Sequence, residues 1–372
     1  MIRGGMFAVD LPLYYSEKNR QEFNLRFDDK GQFSRKVLVN NGRTATTYVF
    51  QNGIKLEESQ EVLLPEYNCI SVINAIGAVH APFSFYKINQ GFEIDFEDLE
   101  KKITEKTKVL YIIHYFGIPH SKKSVKKIME LKEKYNLIIV EDLTQTLLTG
   151  KTDRIGFGDY VVSSVRKWFP IADGGIAAAR NDVPFDLVDL VQDEDASISK
   201  QMELSLMKKC YENGTLTDIA PYLEMEKKAN KSRYKDFNPR KMTKQSLEIL
   251  EKVDIDYSIE KRCSNYRYLY DKLKDISGVE MLSGKLDSTN VFVPFGLLIK
   301  VKERDLLYDY LAKHLIVGEI QWVLPTQYYA PSEHAASISD HSVMIQIDQR
   351  YDIADMDYIA DTIKQFFNKN TH

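Results

Sequence analysis

The sequence predicts an α/β protein with a larger unit built on a mostly parallel central sheet and a smaller α+β unit behind it. Three observations carry that expectation. Between residues 37 and 180, short apolar runs alternate with amphipathic stretches, the order of a wound α/β domain. The central runs, 108–113 (KVLYII) and 137–142 (LIIVED), are apolar at nearly consecutive positions, as strands covered on both faces are. A long helical pattern from Thr243 to about Ile276 then leads into a segment where strands are fewer.

In chain order, strands are expected at 61–67, 108–113, 137–142, 160–165 and 175–179. A helix begins at Asp95, an N-cap with Asp98 in the first turn and Leu99 and Ile103 one turn apart. Another covers about 124–135, with Val125, Ile128 and Met129 on one face. Residues 181–240 are charged and rich in Met and Tyr, with a helix near 201–211, and read as an insertion or an arm. The pattern from 243 to 276 keeps Leu247, Leu250, Val253, Ile259, Cys263, Tyr266, Tyr270 and Leu273 near helical spacing, so one long helix is expected to enter the second unit. Strands at 291–301 and 341–347 and a last helix at 354–367, with Ile359, Ile363 and Phe366 on one face, complete it. The expected division is 1–242 and 243–372.

The chain of 372 residues is 44% hydrophobic and 28% charged, enough to bury a sizeable core. Fifty basic and 54 acidic residues leave a net charge of −4, which gives no reason to expect nucleic acid or an acidic membrane surface. There is no apolar run of about 18 residues, so no membrane span is expected, and the first ten residues lack a signal peptide's apolar run. The three cysteines, Cys69, Cys210 and Cys263, lie far apart and form no CxxC pair. They read as free thiols in a reducing cytoplasm, with no metal site.

The residues that carry chemistry cluster between 137 and 175. Glu141-Asp142 closes a buried strand and Gln145 follows. Twenty-five residues after Asp142 comes Lys167, in Ser163-Ser164-Val165-Arg166-Lys167, then Asp173-Gly174-Gly175. Ligands of open α/β sheets bind beyond the carboxyl ends of the strands, and both segments place polar groups there. Each piece alone has a plainer reading: Asp142 as an N-cap, Lys167 as a surface lysine, the serines as turn residues. Order and setting together favour a site.

Asp142-x-x-Gln145, Ser-Ser-x-x-Lys167 and Asp173-Gly174-Gly175 resemble the DegT/DnrJ/EryC1/StrS sugar aminotransferases, which have the fold of the type I pyridoxal-phosphate (PLP) enzymes. Asn40-Asn41-Gly42-Arg43-Thr44-Ala45, Leu63-Leu64-Pro65-Glu66-Tyr67, His114-Tyr115-Phe116-Gly117 and Phe237-Asn238-Pro239-Arg240 extend the resemblance, which runs from about residue 36 to the C-terminus. It implies PLP held by Lys167 as a Schiff base, Asp142 against the pyridine nitrogen and Gln145 on the phenolate oxygen. It also implies a phosphate at Gly42, Arg43 and Thr44, where a helix N-terminus favours an anion, with a hydroxyl from Ser163 or Ser164. Asn238 would reach the cofactor of a partner subunit in a homodimer with shared sites. Without the rest of the pattern, Gly42-Arg43-Thr44 is a plain helix start and Asn238 a turn residue before Pro239.

The implied reaction moves an amino group, with glutamate the expected donor, to a nucleotide-linked keto-sugar for cell-surface polysaccharide or related synthesis. A PLP-dependent sugar dehydratase, a non-catalytic regulatory protein of this fold, and another PLP reaction on amino acids are the alternatives. Three departures stand out. Cys69 occupies the place where the family often sets an aromatic over the cofactor ring, leaving Tyr67, His114 or Tyr115 to do so; Arg43 stands where Thr is usual; and the family's serine can lie farther upstream of the lysine. Arg350 is a candidate for a substrate carboxylate, or a surface arginine paired with Asp348, Asp352 or Asp355. Trp322, Tyr328 and Tyr329 suit sugar stacking or simple packing, and Tyr115 is a further substrate candidate.

Overall fold

The computed structural model describes residues 3, 4, 7, 28, 31–150, 152–192, 196–212, 214–218, 220–222, 224–225, 237–288 and 290–370. Its main sheet has seven strands. They are β2 (Arg35–Val39), β3 (Glu61–Pro65), β4 (Phe83–Tyr86), β5 (Thr107–Ile113), β6 (Ile138–Asp142), β7 (Tyr160–Ser163) and β8 (Gly175–Ala179), in the spatial order β2-β8-β7-β6-β5-β3-β4. From β4 to β7 the pairing is parallel. β8 runs antiparallel to β7, and β2 antiparallel to β8. All five expected strands of the sheet are present. The two omitted by the sequence reading, β2 and β4, form its edges. β2 carries Arg35 and Lys36 and is largely half-buried, and β4 has four residues, so neither shows the continuous apolar run of a central strand.

Alternation along the strands divides the core. Val109, Tyr111, Ile113 and Val140 face one layer with Ala45, Tyr48 and Val49. Leu110, Ile112 and Ile139 face the other with Leu99, Ile128 and Leu131. Those partners sit on α1 (Gly42–Val49) and, on the far face, on α3 (Phe96–Lys102) and α4 (Lys122–Tyr135); α2 (Ile70–Ala78) follows β3. Asp95 caps α3 as expected, its carboxylate accepting from the backbone N–H of Glu97 and Asp98. Ser121 caps α4, which starts two residues before the expected position. Within 181–240, α5 covers Ala196–Glu212.

The helix expected from 243 to 276 is two helices, α6 (Lys244–Leu250) and α7 (Ile255–Leu273). Asp254 makes the break: its side chain accepts from the N–H of Tyr257 at 2.9 Å and so starts a new helix. Leu250 and Val253 remain buried across it, which is why the apolar spacing read as continuous. A second, antiparallel sheet orders β12 (Ser342–Ile345), β10 (Leu297–Lys300) and β9 (Glu280–Met281). The strand expected at 291–301 keeps only its last part, since Pro294 has no N–H to pair. α7 packs on this sheet with α8 (Arg304–Lys313) and α10 (Ile353–Asn370), while α9 (Glu333–His341) leads into β12. A short strand, β1 (Arg3–Gly4), pairs in parallel with β11 (Ile316–Val317), and Arg3 binds Asp355 at 2.7 Å. Arg3 and Gly4 thus sit against β11 and α10.

The two halves of the future site meet at a glycine. A Cβ on Gly175 would stand 2.3 Å from the carbonyl oxygen of Asn41, so only glycine lets β8 begin this close to the α1 N-terminus. Gly175→Ala is expected to cost more than about 2 kcal/mol, seen as a lower urea midpoint. Gly77→Ala, at an exposed helical position with open space around its Cβ, should instead gain about 0.5–1 kcal/mol.

Candidate functional site

A cleft of about 200 Å³ opens where the parallel strands end. Four strands deliver side chains from their carboxyl ends or the turns beyond. Cys69 follows β3, Ile113 closes β5, Asp142 closes β6 with Thr144 and Gln145 after it, and Ser164, Arg166 and Lys167 follow β7. The N-terminus of α1 closes one side with Asn41, Gly42, Arg43 and Thr46. Trp322, from the segment between β11 and α9, completes the lining.

Asp142 is held by two hydrogen bonds. Its Oδ2 accepts from the Tyr111 hydroxyl at 3.0 Å and its Oδ1 from the Thr144 N–H at 2.8 Å. Burial, and then the neighbouring Asp142 carboxylate, push the Tyr111 phenol well above its ordinary range, so it stays a donor. A carboxylate has about four lone-pair positions, and two are used here. Gln145 is almost fully buried. Its Oε1 accepts from the Phe116 N–H at 3.1 Å and its Nε2 donates to Gln321 Oε1 at 2.8 Å, which leaves one amide hydrogen for the cleft. Lys167 closes a short 3₁₀ turn, Val165–Lys167, and is half-buried.

At the start of α1, the Asn41 side chain accepts from the N–H of Arg43 and of Thr44 at 3.0 and 3.1 Å, and the Thr44 hydroxyl accepts from the N–H of Asn41. This reciprocal cap fixes the helix end with its positive dipole at the cleft. A Cβ on Gly42 would meet Ser164 Cβ at 3.0 Å, so the helix end and the β7 turn touch there.

Of the residues singled out from sequence, Lys167, Asp142, Gln145, Gly42, Arg43, Ser164, Cys69 and Trp322 share this cleft. Ser163 does not: it is fully buried and donates to the Leu143 carbonyl, because successive strand residues face opposite sides. Thr44 turns its hydroxyl to Asn40 and to the Asn41 carbonyl. Tyr115 is buried, its hydroxyl on the Tyr67 carbonyl at 2.7 Å. Arg350 takes its plainer reading: both arms of its guanidinium bind Asp348 at 2.7 Å. Asn238 lies outside the lining of this chain's own cleft. Sequence reasoning passed over Arg166 and Thr144, which flank residues it did name, and Thr46 and Ser71, which have no local signal of their own.

The arrangement has the form of an open α/β protein with its site at the carboxyl edge of the sheet, where an amine, a carboxylate, an amide and a helix N-terminus converge. The chain belongs to the DegT/DnrJ/EryC1/StrS aminotransferase family, whose model matches residues 13–218, more than half of its length. It is 27% identical over 171 residues to GDP-perosamine synthase of Escherichia coli O157:H7, covering 45% of this chain and 46% of that enzyme. It is 23% identical to GDP-perosamine synthase of Vibrio cholerae, over 44% and 45%. The chain thus spans about half the length of these relatives. Among solved structures, Spr1654 of Streptococcus pneumoniae in its PLP form superposes with a TM-score of 0.67 at 19% identity, over 99% of this chain and 94% of that one. Helicobacter pylori PseC, an aminotransferase of pseudoaminic acid biosynthesis, gives 0.63 at 16%, over 90% and 87%. These likenesses show the fold. No helix among the described residues is long and apolar enough to cross a membrane.

On the opposite face of the sheet, a buried polar chain supports the strand ends. His120 Nδ1 lies 3.1 Å from Glu93 Oε2 and its Nε2 3.1 Å from the Ile113 carbonyl. Its backbone N–H donates to His114 Nδ1, so the other ring nitrogen of His114 donates to Glu141 at 3.0 Å. Burial drives His114 well below its ordinary range and lifts Glu141 to about 8. For Glu93, burial pushes upward but is outweighed by the hydrogen bond and charge of His120, and the carboxyl falls to about 2. A carboxyl depressed in the folded state stabilises above its unfolded value, near 4.5, and that stability is lost as pH falls toward 2. Wild type should exceed Glu93→Gln by roughly 1–3 kcal/mol at neutral pH, and urea titrations should show the gap narrowing by pH 3.5.

Proposed function

We propose that the chain is a PLP-dependent aminotransferase that moves an amino group, with glutamate as donor, to a nucleotide-linked keto-sugar. The observation that carries this is the convergence of Lys167, Asp142 and Gln145 with the capped N-terminus of α1 in one cleft. Family membership and the relatives named as GDP-perosamine synthases support it. The donor set fits the cofactor: an amine for its aldehyde, a buried carboxylate with free lone pairs for its ring nitrogen, and an amide hydrogen for its phenolate. The N–H of Gly42 itself, at the positive end of α1, and the Ser164 hydroxyl suit its phosphate, the N–H groups of Asn41, Arg43 and Thr44 being taken up by the cap.

PLP, when bound, supplies an electron sink that lowers the cost of charge at the substrate carbon. The chain supplies the rest. Lys167 Nζ holds the cofactor and then takes and returns the proton at the carbon that gains or loses nitrogen. Asp142, fixed by Tyr111 and Thr144, keeps a proton on the ring nitrogen. Arg43 and Arg166, which line the same cleft, bring positive charge to the anionic groups of donor and sugar nucleotide, a task Arg350 is not placed to do. With the site goes the family's homodimer with shared sites, and a division of the chain near residue 242.

The test is an absorption spectrum of protein reconstituted with PLP. Wild type should show a visible band that glutamate bleaches, whereas Lys167→Ala should show none and should lose at least about a hundredfold in amination rate. A wild-type protein that shows no visible band would overturn the proposal. A band untouched by glutamate would overturn glutamate as donor.

A further inference from the structure

We infer that Trp322 is the aromatic wall against which the cofactor ring lies, a role that rests on the PLP site proposed above and assigns one of its faces. A pyridine ring is flat and polarisable, and it gains from an aromatic side chain packed against a face. Among the described residues that line the cleft, Trp322 is the one aromatic. The aromatic groups near the strand ends are committed elsewhere: Tyr67, His114 and Tyr115 are buried in the core and none lines the cleft. Cys69, the side chain that β3 contributes, has no π face to offer.

Trp322 is also held as a wall must be. Its ring packs against Tyr67 at 5.3 Å and 42° and against Tyr115 at 6.1 Å and 56°. Its carbonyl accepts from the Ser339 hydroxyl at 2.8 Å. The preceding side chain, Gln321, is tied on both sides: it accepts from Gln145 at 2.8 Å and donates to Glu319 at 2.8 Å, and Glu319 in turn accepts from Gln346 at 2.6 Å. The hydrogen-bond chain that orients Gln145 therefore also sets the backbone that presents the indole. Support from both packing and hydrogen bonds gives a preorganised surface rather than a mobile side chain.

The test uses pyridoxamine phosphate, which has no aldehyde to condense with Lys167 and so reports non-covalent contacts alone. Calorimetric titration of wild type, Trp322→Phe and Trp322→Leu separates an aromatic face from mere apolar volume. Trp322→Phe should bind within about threefold of wild type and Trp322→Leu about tenfold more weakly. Trp322→Leu binding like wild type would overturn the inference while leaving the PLP site standing, as would equal weakening in both variants. If the leucine variant keeps its affinity for pyridoxamine phosphate but raises KM for the sugar nucleotide, the indole faces substrate and the inference also falls. A wild type that binds no pyridoxamine phosphate would sink both the inference and the site.

Discussion

The site depends on one buried carboxylate. Asp142 ends a strand covered on both faces, where an ionised group is costly unless paired. The Tyr111 hydroxyl, from the neighbouring strand β5, and the Thr144 N–H, from the turn after β6, compensate part of that cost. The register that sets Ile112 opposite Glu141 and Ile113 opposite Asp142 is therefore tied to the placement of a functional side chain. A one-residue slip would exchange Asp142 for Glu141 and move the carboxylate to the wrong face.

The two faces of that strand end perform different tasks. Asp142 looks toward the cleft. Glu141 looks away, accepting from Gly156 and Gly158 N–H groups at 3.1 and 2.6 Å as well as from His114. Titratable groups thus lie on either side of a single strand, those behind it bracing the turns and those before it facing the cleft. Across the cleft, Gly175 lets β8 approach the capped α1 helix, and this close backbone contact helps to fix the end that favours an anion relative to the carboxylate.

The central sheet was legible because its strands are buried on both faces, and that burial is what continuous apolar runs record. The edge strands β2 and β4 were not, since half-exposed short strands carry no such run. The single helix expected after Thr243 failed for a related reason: periodicity reports which face is buried, and Asp254 can end one helix and start another without disturbing that face. In the cleft, Lys167, Asp142 and Gln145 were legible through spacing and resemblance. Ser163 was indistinguishable from Ser164 until the pleat separated them, and Arg350 could be told from a site residue only by seeing Asp348 beside it. Trp322 was named from sequence for sugar stacking or packing, but at 155 positions from Lys167 no local pattern could set it beside that lysine.

The central claim is that this cleft holds PLP on one particular lysine. Borohydride reduction of the PLP-reconstituted protein, followed by mass mapping of its peptides, tests it most directly because reduction locks the cofactor where it sits. The account predicts a pyridoxyl phosphate group on Lys167, beside Arg166 and Trp168, and on none of the other lysines in significant yield. Modification of a different lysine, or of none, would contradict it.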